Sequence, residues 1–220
     1  MTTMSGTPIG IVLAAGKSER LGRDKLFEPI DGQAIVERVV SALLHATKIH
    51  EVVVVIPPGR SNDFSWLKSV KVHPVENPHP EKGMISSIRV ALRTTWVAGH
   101  DFLICPGDVP FVSPQIVNRL IGTFMARPCR VVIPTYKGMG GHPALFAASL
   151  TDDFLLRGDQ NGAREVLVRH KEETVRLSVH DPDVCFDVDT EEDLRIADDP
   201  GARWARVERD LEDRQRTRLR

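Results

Sequence analysis

Apolar positions along the chain change period from block to block. Ile9–Leu13 is a short unbroken apolar run that ends at Ala14-Ala15-Gly16. A run of that length bounded by turn residues predicts a buried parallel strand. Residues 51–56, mostly valine and closed by Pro57-Pro58-Gly59, and residues 102–105, closed by Pro106-Gly107, predict two more. Elsewhere the spacing is helical. Ile35, Val36, Val39, Val40, Leu43 and Leu44 predict a helix over 33–46, entered through the turn Asp31-Gly32. Ile85, Ile88, Leu92 and Trp96 predict one over 84–97. Ser113-Pro114, a cap residue followed by proline at the first helical position, opens a helix running to about Met125. Shorter signals predict a helix at 64–67, strands at 70–75, 130–134 and 144–147, and a glycine-rich loop at 136–141. They also predict a helix at 161–169, strands at 174–179 and 184–188, and a helix at 190–196 capped by Thr190.

Strands alternating with helices predict an α/β fold: three layers, α/β/α, around a mostly parallel sheet of the Rossmann-like kind. The 220 residues suffice for one domain, expected over 1–197. Residues 198–220 are dense in charge of both signs. Trp204, Val207 and Leu211 give them helical spacing, which predicts a surface helix with one narrow apolar stripe. Lys and Arg (29) nearly balance Asp and Glu (30), so composition supports neither nucleic acid nor membrane as a partner. Cys105, Cys129 and Cys185 are isolated, without disulfide or zinc spacing, and residues 1–8 carry no signal-peptide core. A cytoplasmic protein is expected.

The chemistry starts where the first strand ends. Gly16 and Gly22 let backbone N–H groups approach a ligand, and Arg20, Arg23 and Lys25 can offset an anion held there. The loop is neither a Walker motif nor a dinucleotide fingerprint: Gly22 is followed by Arg23-Asp24, and no glycine stands between Gly16 and Gly22. A second motif, Pro106-Gly107-Asp108-Val109-Pro110, leads a strand directly into a carboxylate suited to Mg²⁺. Strand carboxyl ends are where an open α/β sheet binds ligands, and both motifs lie there. In Asp187-Val188-Asp189-Thr190, alternation puts both aspartates on one side. Gly83, ahead of a helix that begins Met84-Ile85-Ser86-Ser87, can hold a ligand at the helix N-terminus.

The loop L-A-A-G-x-S-x-R-x-G-x-x-K, with the D-x-P around Asp108 and the D-x-D-T ending at Thr190, resembles the MobA-like NTP transferases, and within them the molybdenum cofactor cytidylyltransferases. Further motifs of that branch follow in order: Gly141-His142-Pro143-x-x-Phe146, and Gly158-Asp159-Gln160-Asn161-Gly162-Ala163-Arg164, one residue longer than its usual G-D-x-G-A-R. The resemblance runs from about Ile9 to Ile196. It implies transfer of a nucleoside monophosphate from an NTP to a phosphorylated acceptor, with release of pyrophosphate. Leu13, Ala14, Ala15, Gly16, Ser18, Arg20, Gly22, Lys25, Gly83, Ser86, Ser87 and Asp108 would then bind the nucleotide. Arg20, Lys25 and Asp108 would be catalytic, and Asp108 and Asp189 would hold Mg²⁺, with Asp187 the alternative to Asp189. Gly141, His142, Pro143 and Arg164 would line the acceptor pocket. Guanylyltransferases of this kind carry L-A-G-G where this chain has Ala15, so the resemblance implies CTP as donor and molybdopterin as acceptor, with a molybdoenzyme receiving the product. Other readings are GTP as donor, a sugar phosphate, isoprenoid precursor or phospholactate as acceptor, and a non-catalytic carrier of the molybdenum cofactor.

Overall fold

The computed structural model describes residues 7–16, 24–67, 69–157 and 162–218. An eight-stranded sheet forms its middle layer. β1 (Ile9–Leu13) lies between β4 (Val52–Ile56) and β6 (Phe102–Pro106), parallel to both, and β5 (Val72–Glu76) extends the sheet beyond β4. β2 (Pro29–Ile30) and β3 (Gln33–Ala34) form a separate small hairpin on the Asp31-Gly32 turn. Both turn residues have positive φ, the geometry of a tight two-residue hairpin.

β4 and β6 are buried along their whole length because helices cover both faces. Alternation sorts their side chains. Val12, Val52, Val54, Ile56, Leu103 and Cys105 face one core with α1 (Ile35–His45) and α3 (Pro114–Ala126). Ile9, Ile11, Val53, Val55, Phe102 and Ile104 face the other, with α2 (Met84–Leu92), α4 (Thr151–Arg157) and α5 (Gly162–Arg169). A strand with two apolar faces reads as a continuous apolar run, and this is why these strands were legible.

The far half of the sheet is mixed. β7 (Val131–Tyr136) turns at Lys137-Gly138, both at positive φ, into the two-residue strand β8 (Met139–Gly140). The loop expected at 136–141 is therefore a hairpin. The chain then passes Gly141 and the cis peptide between His142 and Pro143. It enters β9 (Ala144–Phe146), which fills the gap between β6 and β7 antiparallel to both. β10 (Thr174–Ser178) closes that edge parallel to β7.

Several expectations change. The helix predicted over 84–97 stops at Leu92, and Trp96 stacks on His73 instead, ring centroids 4.2 Å apart. The helix expected at 64–67 is absent; a turn of 3₁₀ helix ends there instead, at Ser61–Phe64, and α4 carried no signal we read. The strand predicted at 184–188 is absent. Pro182 and the Asp181 side chain, which accepts from the Asp183 N–H, set a 3₁₀ turn at Pro182–Cys185. Its alternation is nevertheless real: Val184 in the turn, and Phe186 and Val188 in the extended segment after it, are all buried. Turn and segment make single backbone bonds to their neighbours, His142 N–H to Val184 O and Val188 N–H to Asp108 O. The C-terminal residues form α6 (Glu191–Ile196) and α7 (Pro200–Arg218). Val207 and Leu211 of α7 enter the core, but Trp204 is 48 % exposed, and Arg203 takes the buried place. It pairs with Asp183 through two bonds (2.9 and 3.1 Å) and stacks on the Phe111 ring at 3.6 Å.

Gly141 holds these parts together. A Cβ there would lie 2.2 Å from the Val184 carbonyl oxygen, whereas a Cβ on Gly140 meets nothing closer than 3.7 Å. Gly141→Ala should therefore cost about 2–3 kcal/mol through overpacking, a fall in Tm of roughly 5–10 °C for a chain this size. Gly140→Ala should leave Tm nearly unchanged. Thermal unfolding of both variants checks this, and equal Tm values would remove the claimed close approach.

Candidate active site

Three segments far apart in sequence meet at the carboxyl ends of β1 and β6. The chain visits β4 and β5 on one side of β1 and returns on the other at β6, so strand order reverses here, where such sheets bind ligands. Gly107 brings the two strand ends together. Its N–H donates to Leu13 O at 3.0 Å, and a Cβ would sit 2.9 Å from that same oxygen. The next residue, Asp108, is thereby fixed beside the loop that follows β1.

Lys25 enters from that loop's far end. Asp24 caps the 3₁₀ turn Lys25–Phe27 by accepting from the Leu26 N–H, and it is itself paired with Arg60. Leu26 is buried, and the Phe27 ring packs edge-on against Phe64 at 5.1 Å. The Lys25 ammonium donates to Asp108 Oδ2 at 2.8 Å and to Asp189 Oδ1 at 2.7 Å. Its side chain is only 12 % exposed, against 23 % and 36 % for the two carboxylates. Burial works against its charge, but the two carboxylates outweigh burial and raise its pKa.

Asp189 arrives through the extended segment that Val188 ties to Asp108. A capping box then fixes it. Asp193, 2 % exposed, accepts from Asp189 N–H (3.1 Å), Thr190 N–H (2.8 Å) and the Thr190 hydroxyl (2.7 Å), while Thr190 caps α6. The Arg206 guanidinium of α7 lies 3.4 Å from Asp193 and offsets its buried charge. Asp187 lies within electrostatic reach of both carboxylates and Lys25. Crowding by the surrounding protein, then the nearby charges of Asp189 and Asp108, push its pKa up to about 6.

Two cavities meet at the end of β6, the smaller lined in part by Asp108. The smaller, about 330 Å³, is lined by Leu13, Ala15, Gly16, Gly83, Ser87 and Asp108 among others. The larger, about 900 Å³, is lined by residues that include Gly141, His142 and Arg164. Met84 and Pro106 line both, so the two are contiguous. Of the nucleotide residues expected from the sequence, Ala14 is buried in the core beside the first cavity. Ser86 is occupied within the protein: it accepts from Asn77 Nδ2 at 2.8 Å and lies close to Gly83 O and His79 O. Asn77, buried and bonded to both serines, pins the loop before α2, and no motif pointed to it. Ser18, Arg20 and Gly22, like Asp159, lie outside the described residues. Pro143 is buried and not part of the cavity lining. His142 faces the larger cavity, and the protein around it lowers its pKa, so it is neutral at pH 7.

These features match a known domain. The model of the MobA-like NTP transferase domain matches residues 10–175. The chain belongs to this family. A probable molybdenum cofactor guanylyltransferase of Thermococcus sibiricus is 30 % identical over 150 residues, covering 67 % of this chain and 70 % of the relative. One of Mycolicibacterium paratuberculosis with the same description is 28 % identical over 194 residues, covering 84 % and 92 %. Among solved structures, Rv0371c of Mycobacterium tuberculosis superposes with a TM-score of 0.72 at 26 % identity, covering 87 % of this chain and 98 % of that one. No helix among the described residues of this NTP transferase is long and apolar enough to cross a membrane.

The donor set fits a divalent cation. Asp108 and Asp189 offer hard carboxylate oxygens close enough together to share one ammonium. Mg²⁺ favours one or two carboxylates plus substrate phosphates and water over an all-protein cage. No three His, Cys, Asp or Glu side chains form a metal cluster among the described residues. If Lys25 is what neutralises the pair, Lys25→Met should lower stability by about 1–2 kcal/mol. That is less than the ~3–5 kcal/mol for breaking a fully buried pair, because both carboxylates reach solvent. Millimolar MgCl₂ should then raise the Tm of the variant more than that of the wild type. A thermal melt with and without the salt reads this out, and an identical response in both proteins would count against it.

Proposed function

We propose that this NTP transferase moves a nucleoside monophosphate from an NTP to the phosphate of molybdopterin, releasing pyrophosphate. One observation carries the reading: Asp108 and Asp189 meet on Lys25 beside two contiguous cavities, one small and one large. The smaller would seat the nucleotide and the larger the acceptor, leaving the reacting phosphates at the carboxylates. The names of the relatives support molybdenum cofactor as the acceptor.

The residues suit this reaction. A phosphate monoester has a second pKa of about 6, so at neutral pH the acceptor is already a nucleophile and needs no general base. The neutral His142 is then free to orient the acceptor by hydrogen bonding. What the site must supply is compensation for two anions brought together. Lys25 supplies a fixed positive charge, and Arg20, which the resemblance assigns to the same role, would add a second. Gly83, at φ +80°, leads the first turn of α2 into the wall of the smaller cavity, where the positive end of the helix would face the phosphates. Mg²⁺ held by Asp108 and Asp189 would polarise the α-phosphate and offset charge on the leaving pyrophosphate. An acceptor oxygen attacks phosphorus, the bond to the bridging oxygen breaks, and pyrophosphate takes the electron pair.

For the base we propose cytosine. Ala15, 3 % exposed, packs with α2 and lines the smaller cavity, so its methyl group takes space that glycine would leave to a purine. The names of the relatives favour the second reading, guanine. Pyrophosphate release with CTP, GTP, UTP and ATP, each with molybdopterin, decides between them. CTP should give the highest kcat/KM, and Ala15→Gly should shift the CTP-to-GTP ratio toward GTP by roughly tenfold, the scale of one methyl group in a binding pocket. Preference of the wild type for GTP would overturn the cytidylyl reading. Absence of release with every NTP would overturn catalysis and favour a carrier.

A further inference from the structure

The larger cavity has two unlike walls. One is apolar, made by Ile104, Ile133, Ala144, Phe146 and Leu167. The other carries four cations: Arg164 of α5, Lys171, Arg176 of β10 and Arg214 of α7. Asp213 is the only acid among its described lining residues. None of the four cations is ion-paired among the described residues, while Arg169, Arg203 and Arg206 close by all are. Like charges gathered around a shared concavity repel one another and concentrate anions.

The wall is built rather than draped. α7 is clamped at three points: Arg203 to Asp183, Arg206 to Asp193, and Glu208 to Lys137 (2.7 Å) and the Tyr136 hydroxyl. These contacts, with Leu211 buried in the core, fix the course of the helix that carries Arg214. A guanidinium on such a helix matches the geometry of an oxyanion.

We propose that this wall, through Arg176 and Arg214, binds a second anionic group of the acceptor, distant from the phosphate that receives the nucleotide. The substrate class is then a phosphorylated molecule with an apolar body and a further anionic group. The inference rests on the reading of the larger cavity as the acceptor's seat. It adds that α7, which lies beyond residues 10–175 matched by the family model, helps select the acceptor. A concavity continuous with the smaller one favours a small molecule over an acidic peptide segment.

The test is equilibrium binding of molybdopterin to the full chain, followed by pterin fluorescence, for wild type and for Arg176→Gln/Arg214→Gln. Both arginines are exposed, and unchanged Tm and NTP thermal shifts confirm that the variant is intact. About tenfold weaker binding is expected for each guanidinium removed, together with a shallower dependence of affinity on salt. Unchanged affinity and salt dependence would overturn the inference while leaving nucleotidyl transfer standing. If the wild type binds molybdopterin tightly, the variant loses it, and no pyrophosphate is released with any NTP, the proposed reaction falls and this site survives. Tighter binding of a polyglutamate peptide than of molybdopterin, lost in the same variant, would make the wall a protein-docking surface and overturn the inference. No binding of molybdopterin to the wild type would remove both readings.

Discussion

One ammonium group, that of Lys25, sits between two carboxylates that cannot otherwise share so small a space. Asp108 and Asp189 lie 83 and 164 residues from it in sequence. Each of the three is held by backbone geometry and not by the ion pair itself. Lys25 opens a capped 3₁₀ turn anchored by Leu26, Asp108 follows a glycine pressed against β1, and Asp189 ends an extended segment tied to Asp108 and a capping box. Partial burial makes each carboxylate costly without a cation, and an acidic pocket kept charged is what a metal-bound triphosphate requires. On the proposed reading, the site would exchange one cation for another.

The C-terminal helix belongs to this arrangement. Arg206 offsets Asp193, and Asp193 holds the backbone of Asp189 and Thr190. Arg203 holds Asp183, in the turn that carries Val184 against Gly141. The same helix therefore braces the carboxylate cluster on one side and closes the larger cavity on the other. A helix rich in alternating charge reads from composition as a solvated face; here several of those charges are structural.

The sequence made the central sheet legible because strands buried on both faces have an unmistakable pattern, as in Ile9–Leu13 and Val52–Ile56. Helix starts with a chemical cap, Ser113-Pro114 and Thr190, were equally plain. What escaped were features decided by tertiary contact. Whether 184–188 became a strand depended on a partner edge, and Pro182 with Asp181 turned the chain before it could form a ladder. Trp204 and Arg203 are adjacent, and helical spacing alone favoured the larger apolar residue; the carboxylate of Asp183 and the ring of Phe111 made the arginine the buried one. For the site, the motifs named Lys25, Asp108 and Asp189, and the structure brings them together. Motifs could not reveal that Lys25 spans both carboxylates, that Asn77 occupies Ser86, or that Arg176 and Arg214 share a wall, because each is a meeting of segments that no spacing encodes.

On the proposed reading, Asp108 and Asp189 form one cation site at which Lys25 and a metal-bound nucleotide exchange. Anomalous diffraction from crystals grown with Mn²⁺ and CTP reads this out. A manganese peak in contact with both Asp108 and Asp189 is expected, with the Lys25 ammonium moved off at least one of them and onto phosphate. A nucleotide-bound structure in which manganese avoids these aspartates, with Lys25 still bridging them, would contradict it.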